Sequence, residues 1–590
     1  MHRFEVWAPA ARGVDVVLPT DTEQPAHLKM TARAGGWWAL EVADAGHGTD
    51  YAFSLDADPA RPDPRSAWQP HGVHAASRVF DPARHVWADT DWPGRDVRGL
   101  LFYELHLGTF TPEGTLDAAA MRLPHLVELG VDVVELMPVA AFDGHWGWGY
   151  DGVALYAVHE PYGGPAALQR FVDAAHAVGL AVCLDVVYNH LGPRGNYLAE
   201  FGPYFTAEHQ TPWGSAVNLD DDGRVPVRRW VCDNALRWLR DFHVDALRLD
   251  AVHSLIDDSR WHLLAQLSDE VAALAAQLGR PLSLIAESDL NDPSMIETTA
   301  QGGRGMTAQW DDDVHHGLHA ALTGERQGYY VDFGPLDIVG HTLTQVFRHT
   351  GQWSTFRGQP WGRPIDPARH RGHQFVAFLQ NHDQIGNRAL GDRIGASISP
   401  GRQAIGAALV LTSAFTPLLF MGEEWGATTP WAFFTDFTDP DLARAVSQGR
   451  REEFAAHGWT AGQLPDPQDP ATRQASVLDW AEPGKPSHGR LLTWYQELIA
   501  LRRAEPHLRD DDLRAVAVAT ADGWIRVRRG DFTVVANLAT ATATVPVPAG
   551  SRTVLAWDLD GAVRVDPAGA VEIPPDSVVI VRADGRIGTP

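Results

Sequence analysis

Apolar and polar positions along this chain change their period twice. Over residues 1–92, short runs at 4–7, 14–18, 37–42 and 51–55 alternate or cluster β-forming residues between Gly, Pro and Asp turns, which predicts strands of a small β-sandwich. The Pro- and Arg-rich stretch at 58–70 reads as loop. From Leu100 the pattern becomes a series of short, nearly wholly apolar strands: LLFYELHLG, VDVVELMPV, LAVCLDVVYNH, VDALRLDAV, LSLIAES, MTAQW, FVAFLQNHD and TPLLFMGEE. Helical periodicity is predicted between them, at 118–129, 166–178, 227–242, 258–278 and 314–322. Strands apolar on both faces belong to a parallel sheet covered by helices, and eight strand–helix units imply closure into a barrel. The expected fold is α/β: a (β/α)8 TIM barrel at 93–510, with a Gly-rich, aromatic excursion at about 190–225 after its third strand. It is flanked by the N-terminal sandwich and by a C-terminal β-sandwich at 511–590, where WIRVRRG, FTVVANL, ATVPVP, RTVLAW and VVIVRA restore the β pattern.

Composition narrows the partners. Forty-eight Lys and Arg against 75 Asp and Glu leave a formal charge of −27, a surface that repels nucleic acid and anionic lipid and suits a neutral substrate. The positive charge is nearly all Arg, with Lys29 and Lys485 the only lysines, and codon bias explains that as well as any function would. Two cysteines, Cys183 and Cys232, both in apolar segments, argue against a disulfide framework or a Cys-based zinc site and fit a reducing cytoplasm. The start MHRFEVWAPA lacks a signal-peptide pattern, and no apolar run is long enough to span a bilayer. Sugar stacking is one use for the 22 Trp, although most are expected in the core.

Catalytic groups of a parallel barrel sit at the C-terminal ends of its strands, and four strand ends here carry carboxylates. In VDALRLDAVH, Arg248 and Asp250 are two apart and share the inward face, while Leu247 and Leu249 face the helices. Such a pair is either a buried ion pair that holds the strand or a carboxylate kept ionised by its guanidinium and ready to attack. Glu287 ends the apolar strand LSLIAES, where a raised pKa would suit a proton donor; the bland alternative is a Glu opening the next helix. His382 and Asp383 follow FVAFLQN, and Asp185, Asn189 and His190 lie in or after LAVCLDVVY; each alone could be a loop cap or a structural histidine. Together, an Asp, a Glu and an Asp on separate strand ends with His and Arg beside them supply what retaining glycoside chemistry needs: a nucleophile, an acid/base and support for an oxocarbenium-like transition state.

The segments DVVYNH, LRLDAVH, IAES and QNHD, in this order and spacing, strongly resemble the four signature stretches of the α-amylase superfamily. The resemblance implies Asp250 as nucleophile, Glu287 as general acid/base and Asp383 as transition-state stabiliser. It places Arg248, His190, His253 and His382 around the cleaved sugar and Tyr150 of WGWGYDG beneath it as an aromatic platform, for which a rim-core aromatic is the alternative. The early FEVWAPAA sandwich is similar to that of branching enzymes, debranching enzymes and trehalohydrolases. ELHLGTFTPEGT, AESDLNDP, AQWDDDVHHGLH and QNHDQIGNR resemble the maltooligosyltrehalose trehalohydrolases in particular. That family cuts the α-1,4 bond beside the terminal trehalose of maltooligosyltrehalose. On this reading Asp312, Asp313, His315, His316, Gln384 and Asn387 bind the trehalose end; the alternative for the aspartates is a charged cap on the following helix. No metal and no cofactor are expected, since Asn189 alone is too few ligands for calcium. A monomer is expected, with functional pairing to a maltooligosyltrehalose synthase. A branching enzyme on the same scaffold is the runner-up, and a glucan-binding protein on an inactive barrel is the alternative outside catalysis.

Overall fold

A computed structural model of the chain describes residues 1–19, 24–455, 463–558 and 561–583, so the end of the expected C-terminal sandwich, 584–590, lies outside the description. Eight parallel strands form a closed barrel: β1 (Phe102–Leu105), β2 (Val133–Leu136), β3 (Ala181–Val186), β4 (Ala246–Leu249), β5 (Ser283–Ala286), β6 (Ala308–Trp310), β7 (Phe375–Phe378) and β8 (Thr416–Phe420). They neighbour one another in chain order, and β8 pairs β1 to close the ring. Before the barrel, a three-stranded sheet built on His2–Trp7 and a four-stranded sheet built on Val14–Leu18 share a core of Phe4, Val6, Tyr51 and Phe53. After it, a five-stranded and a three-stranded antiparallel sheet enclose Val535, Val545, Val571, Ile573 and Val579. The excursion after β3 carries the hairpin Phe205–Thr211 and Gly214–Val217 before the helix Arg224–Asp241. Cys183 and Cys232 are buried free thiols, and among the described residues no helix is long and apolar enough to cross a membrane.

The two-residue period of the strands builds the site from below. Phe102, Val133, Cys183, Ala246 and Ile285 fill one apolar layer inside the barrel. Two residues further along the same strands, still facing inward, stand Glu104, Glu135, Asp185, Arg248 and Glu287, and Asp250 is one step above Arg248. The intervening Leu247 and Leu249 pack outward into the helical layer with Trp238 and Leu267, as the alternation requires. Register places Glu104 beside Glu135, and Asp185 beside Arg248. A plug of apolar side chains is thus roofed by a layer of ionisable groups at the C-terminal mouth.

Several helix boundaries differ from expectation for local reasons. The predicted helix at 118–129 is two pieces, Leu116–Ala120 and Leu123–Leu129, the second begun by Pro124 in its first turn. The helix expected from 258 starts at Leu263, because Asp257 accepts the Leu263 N–H at 2.5 Å and Arg228 holds Asp257 at 2.7 Å. Residues 258–262 are therefore a tethered loop. The helix expected at 314–322 runs Asp312–Thr323, capped by the Asp311 carboxylate on the N–H of Asp313.

Candidate active site

Arg248 is fully buried and organises the floor of the cleft. Its Nη1 donates to Asp185 at 2.8 Å and to Asp250 at 3.0 Å, while its Nη2 lies 2.9 Å from Glu287. One guanidinium therefore holds three carboxylates, and its central carbon lies over the Trp310 ring, 4.3 Å from the ring centre. Main-chain bonds extend the ladder past the strand ends: Asp250 N–H donates to Val186 O and Glu287 N–H to Leu249 O, each at 3.0 Å. Ala251, next to Asp250, adopts the left-handed region at φ 40° and ψ 52°, a conformation worth about 1–3 kcal/mol of strain for a residue with a Cβ. That turn aims the Ala251 N–H at Glu287, 2.7 Å away.

These contacts divide the two carboxyls differently from expectation. Burial pushes Glu287 up, but the Arg248 charge and the Ala251 N–H outweigh it and hold Glu287 below its usual range. Burial, reinforced by the charge of Glu287, pushes Asp250 well above its own. The sequence reading expects a raised Glu287, and here the guanidinium and the backbone N–H lower it instead. The apolar strand under Glu287 does not surround its carboxyl, which meets a guanidinium and a backbone N–H instead. The charge on either carboxyl therefore bears on the titration of the other.

The opposite wall is Tyr150, His190, His382 and Asp383. The Tyr150 hydroxyl donates to Asp185 at 2.7 Å, and its ring lies nearly parallel to the His382 ring, 5.1 Å away. His382 faces Asp383 at 3.5 Å on one side and is bonded to Glu104 on the other. His190 bonds the Tyr150 carbonyl at 3.0 Å and stacks 4.4 Å from half-exposed Trp213; burial lowers its pKa to about 4. His253 is exposed beyond Asp250 and stands 3.8 Å from Asp289, which is also paired with Arg357 at 3.0 Å.

The residues after β6 separate into two groups. Asp312 faces the cleft: burial, with the nearby charges of Glu287 and Asp383, raises it to about 6, and its Oδ1 lies 3.4 Å from the Gln384 amide. His316 stacks on Tyr329 at 4.7 Å, and Asn387 donates to Asp383 at 3.2 Å. Asp313 and His315, by contrast, turn into the protein. Asp313 accepts from Asn291 at 2.8 Å and from the Arg348 N–H at 2.6 Å. His315 uses both ring nitrogens, on the Leu379 carbonyl at 2.7 Å and the Tyr330 hydroxyl at 3.0 Å. For His315 the expectation of a bond to a sugar hydroxyl is corrected, because both ring nitrogens are engaged inside, whereas Asp313 takes both of its bonds on Oδ2 and keeps Oδ1 beside His316 at 3.7 Å.

Sequence reasoning missed Glu104, Glu135, Tyr329 and Phe356. The first two were accessible: the alternation that marks Arg248 as inward also marks the glutamates of LLFYELHLG and VDVVELMPV. Tyr329, whose hydroxyl reaches Gln384 at 3.4 Å, and half-exposed Phe356 against it come from irregular segments with no readable period. Among the described residues, His209, Asp220 and Asp258 converge enough to hold a cation, but they lie against the excursion and bond one another.

The chain matches the family models for the alpha amylase catalytic domain over residues 80–211 and for carbohydrate-binding module 48, the isoamylase N-terminal domain, over 1–64. A domain of unknown function matches 511–580. It is 53% identical to the malto-oligosyltrehalose trehalohydrolase of Arthrobacter ramosus over 96% of this chain and 97% of that one. It is 40% identical to the enzyme of the same name from Saccharolobus solfataricus, over 89% of each. A solved Salmonella typhimurium structure described as an alpha amylase superposes with a TM-score of 0.89 at 38% identity, covering 98% of this chain and 97% of that one.

Proposed function

The chain belongs to the malto-oligosyltrehalose trehalohydrolase family and is a glycoside hydrolase, and from that premise we propose that Asp250, Glu287 and Asp383 cut the α-1,4 bond beside a terminal trehalose with retention. The observation that carries the proposal is the single Arg248 guanidinium holding Asp250 and Glu287 side by side at the mouth of the barrel. Retention needs two adjacent carboxyls, one to attack and one to move a proton.

Glu287 is the more open of the two, with its side chain 20% exposed against 10% for Asp250. A glucan chain seated over it removes that water and raises Glu287, so that Glu287 carries the proton while Asp250 stays ionised on Arg248. Glu287 then protonates the oxygen of the leaving trehalose while Asp250 attacks the anomeric carbon. The bond to trehalose breaks as the glycosyl–Asp250 ester forms. Glu287, now a carboxylate, takes a proton from water, whose oxygen displaces Asp250 and frees the maltooligosaccharide. Asp383, held by Asn387 and facing His382, hydrogen-bonds the distorted sugar, and Tyr150 stacks beneath it. On the product side Asp312, His316, Gln384 and Asn387 bind the trehalose unit.

Incubation of the purified protein with maltotriosyltrehalose and, separately, with maltopentaose tests the reading by product chromatography. Rapid release of trehalose and maltotriose with slow attack on maltopentaose is expected. Equal attack on both reduces the activity to general α-glucan hydrolysis, and new branch points in amylose would move it to a transferase.

A further inference from the structure

Beneath His382, on β1, lies Glu104, fully buried and pointing up from the apolar layer. One of its oxygens accepts from the His382 ring at Nδ1, and the other accepts the His382 backbone N–H at 3.1 Å. The carboxylate therefore grips both the ring and the main chain of the residue that precedes Asp383. The second ring nitrogen faces Asp383 at 3.5 Å, so both nitrogens look at acceptors, the arrangement of an imidazolium. The ring is also backed by Tyr150 at 5.1 Å.

Charged and titratable groups surround this ring from β1 to β5. Glu135 on β2 is the register partner of Glu104, and burial with the Glu104 charge pushes it far up. Asp185 and Glu287, from β3 and β5, are occupied by Arg248 of β4, whose positive charge opposes a second cation at His382. His106, just past β1, is held neutral by burial, which lowers it to about 3. Glu104 is thus the carboxylate given over to His382. Burial alone would lower His382, yet Glu104 and Asp383 raise it to about 10.

We propose that Glu104 is a positioning residue for the hydrolysis: it keeps His382 an imidazolium and fixes its ring between Tyr150 and Asp383, so that the platform and the stabilising carboxylate meet the sugar in register. The proposal rests on the roles given above to Asp383 and Tyr150. In Glu104→Gln one amide oxygen can still accept the ring N–H, but the amide nitrogen now faces the His382 N–H, donor against donor. With maltotriosyltrehalose a loss of about 10²-fold is expected, carried by kcat rather than KM. The loss should deepen as pH rises through about 5 to 8, because His382 then titrates as an ordinary histidine while wild type holds its charge. Glu104→Asp keeps the charge and should keep the wild-type pH profile at reduced kcat. A Glu104→Gln enzyme with the wild-type pH profile, whatever its rate, overturns the proposal.

Should Glu104→Gln fail to fold, the wild-type protein decides. A far-downfield, exchange-protected imidazole proton, absent from His382→Asn, is expected to persist in its proton NMR spectrum to about pH 9. Its loss near about pH 6.5 overturns the proposal. This readout needs no substrate. Failure of the wild type to release trehalose would therefore overturn the functional reading and leave the Glu104–His382 result standing.

Discussion

The strand ends and the helix after β6 carry the same kinds of residue, yet they use them differently. At the ends of β4 and β5, successive inward positions are two residues apart, so Arg248, Asp250 and Glu287 all enter one cleft and meet on one guanidinium. At the start of the helix Asp312–Thr323, consecutive residues turn by about 100°. Of four neighbouring acidic and histidine side chains, Asp312 and His316 reach the cleft side, while Asp313 and His315 are pinned inside by Asn291, Arg348, Leu379 and Tyr330. A strand end concentrates chemistry; a helix opening divides it between function and support.

The largest test of that contrast is Asp250→Ala. Asp250 is one of three carboxylates on Arg248, so the fold retains the pairs with Asp185 and Glu287. Loss of the nucleophile should lower kcat by about 10⁴- to 10⁶-fold, with the far-UV circular dichroism and thermal midpoint near wild type. A purified, folded Asp250→Ala protein with near-normal turnover would remove the strand-end site altogether.

His315→Leu probes the other side of the contrast, where the cost should fall on stability and not on specificity. It strips the partner from the Leu379 carbonyl and the Tyr330 hydroxyl, and a buried polar group left alone costs about 1–3 kcal/mol. The ratio of kcat/KM for maltotriosyltrehalose over maltopentaose should not move. The pH dependence has a definite sign. Burial and the neighbouring histidines hold His315 well below the usual histidine range, so the folded state keeps it neutral while the unfolded chain protonates it near pH ~6.5. Its contribution is complete above that pH and is lost as pH falls below it, by up to about 1.4 kcal/mol per pH unit. Urea unfolding from neutral to mildly acidic pH should show a shallower slope in His315→Leu. An unchanged slope with altered substrate preference would place His315 in the cleft.

The same contrast explains what the sequence could reveal. The barrel was readable because doubly apolar strands alternate with helices, and the inward face of Asp250 and Glu287 because a two-residue period leaves one geometry for each side chain; the roles of Asp250, Glu287 and Asp383 came from the resemblance, and Asp383 lies in the short helix His382–Gly386 past β7. The inward direction of Arg248 followed from Leu247 and Leu249 alone. The same reasoning applied to LLFYELHLG would have found Glu104. The lowering of Glu287 was not readable in full, since beside the Arg248 charge it draws on the Ala251 N–H, placed by a left-handed turn that no local pattern announces. Tyr329 and Phe356 were hidden because their positions are set by long-range packing of irregular segments.

Asp312 is where the helix opening should show a functional effect, smaller than that of the strand ends. Its carboxyl is raised to about 6 by burial and by the charges of Glu287 and Asp383, and it lies 3.4 Å from the Gln384 amide. It sits beside the reacting carboxyls without touching Arg248, on the side assigned to the leaving trehalose. Asp312→Asn keeps the shape and one acceptor oxygen but removes the charge. One charge-assisted hydrogen bond to a sugar hydroxyl exchanged for a neutral one is worth about 1–1.5 kcal/mol, so kcat/KM for maltotriosyltrehalose should fall about tenfold. Attack on maltopentaose should change far less, and preference for the trehalose-ended substrate should shrink by the same factor. Equal losses on both substrates would mean that Asp312 acts through the field it exerts on Glu287 and Asp383. The helix opening would then contribute support alone, and trehalose recognition would have to come from Gln384 and Asn387 together with Tyr329 and the loop that bears Phe356 and Arg357.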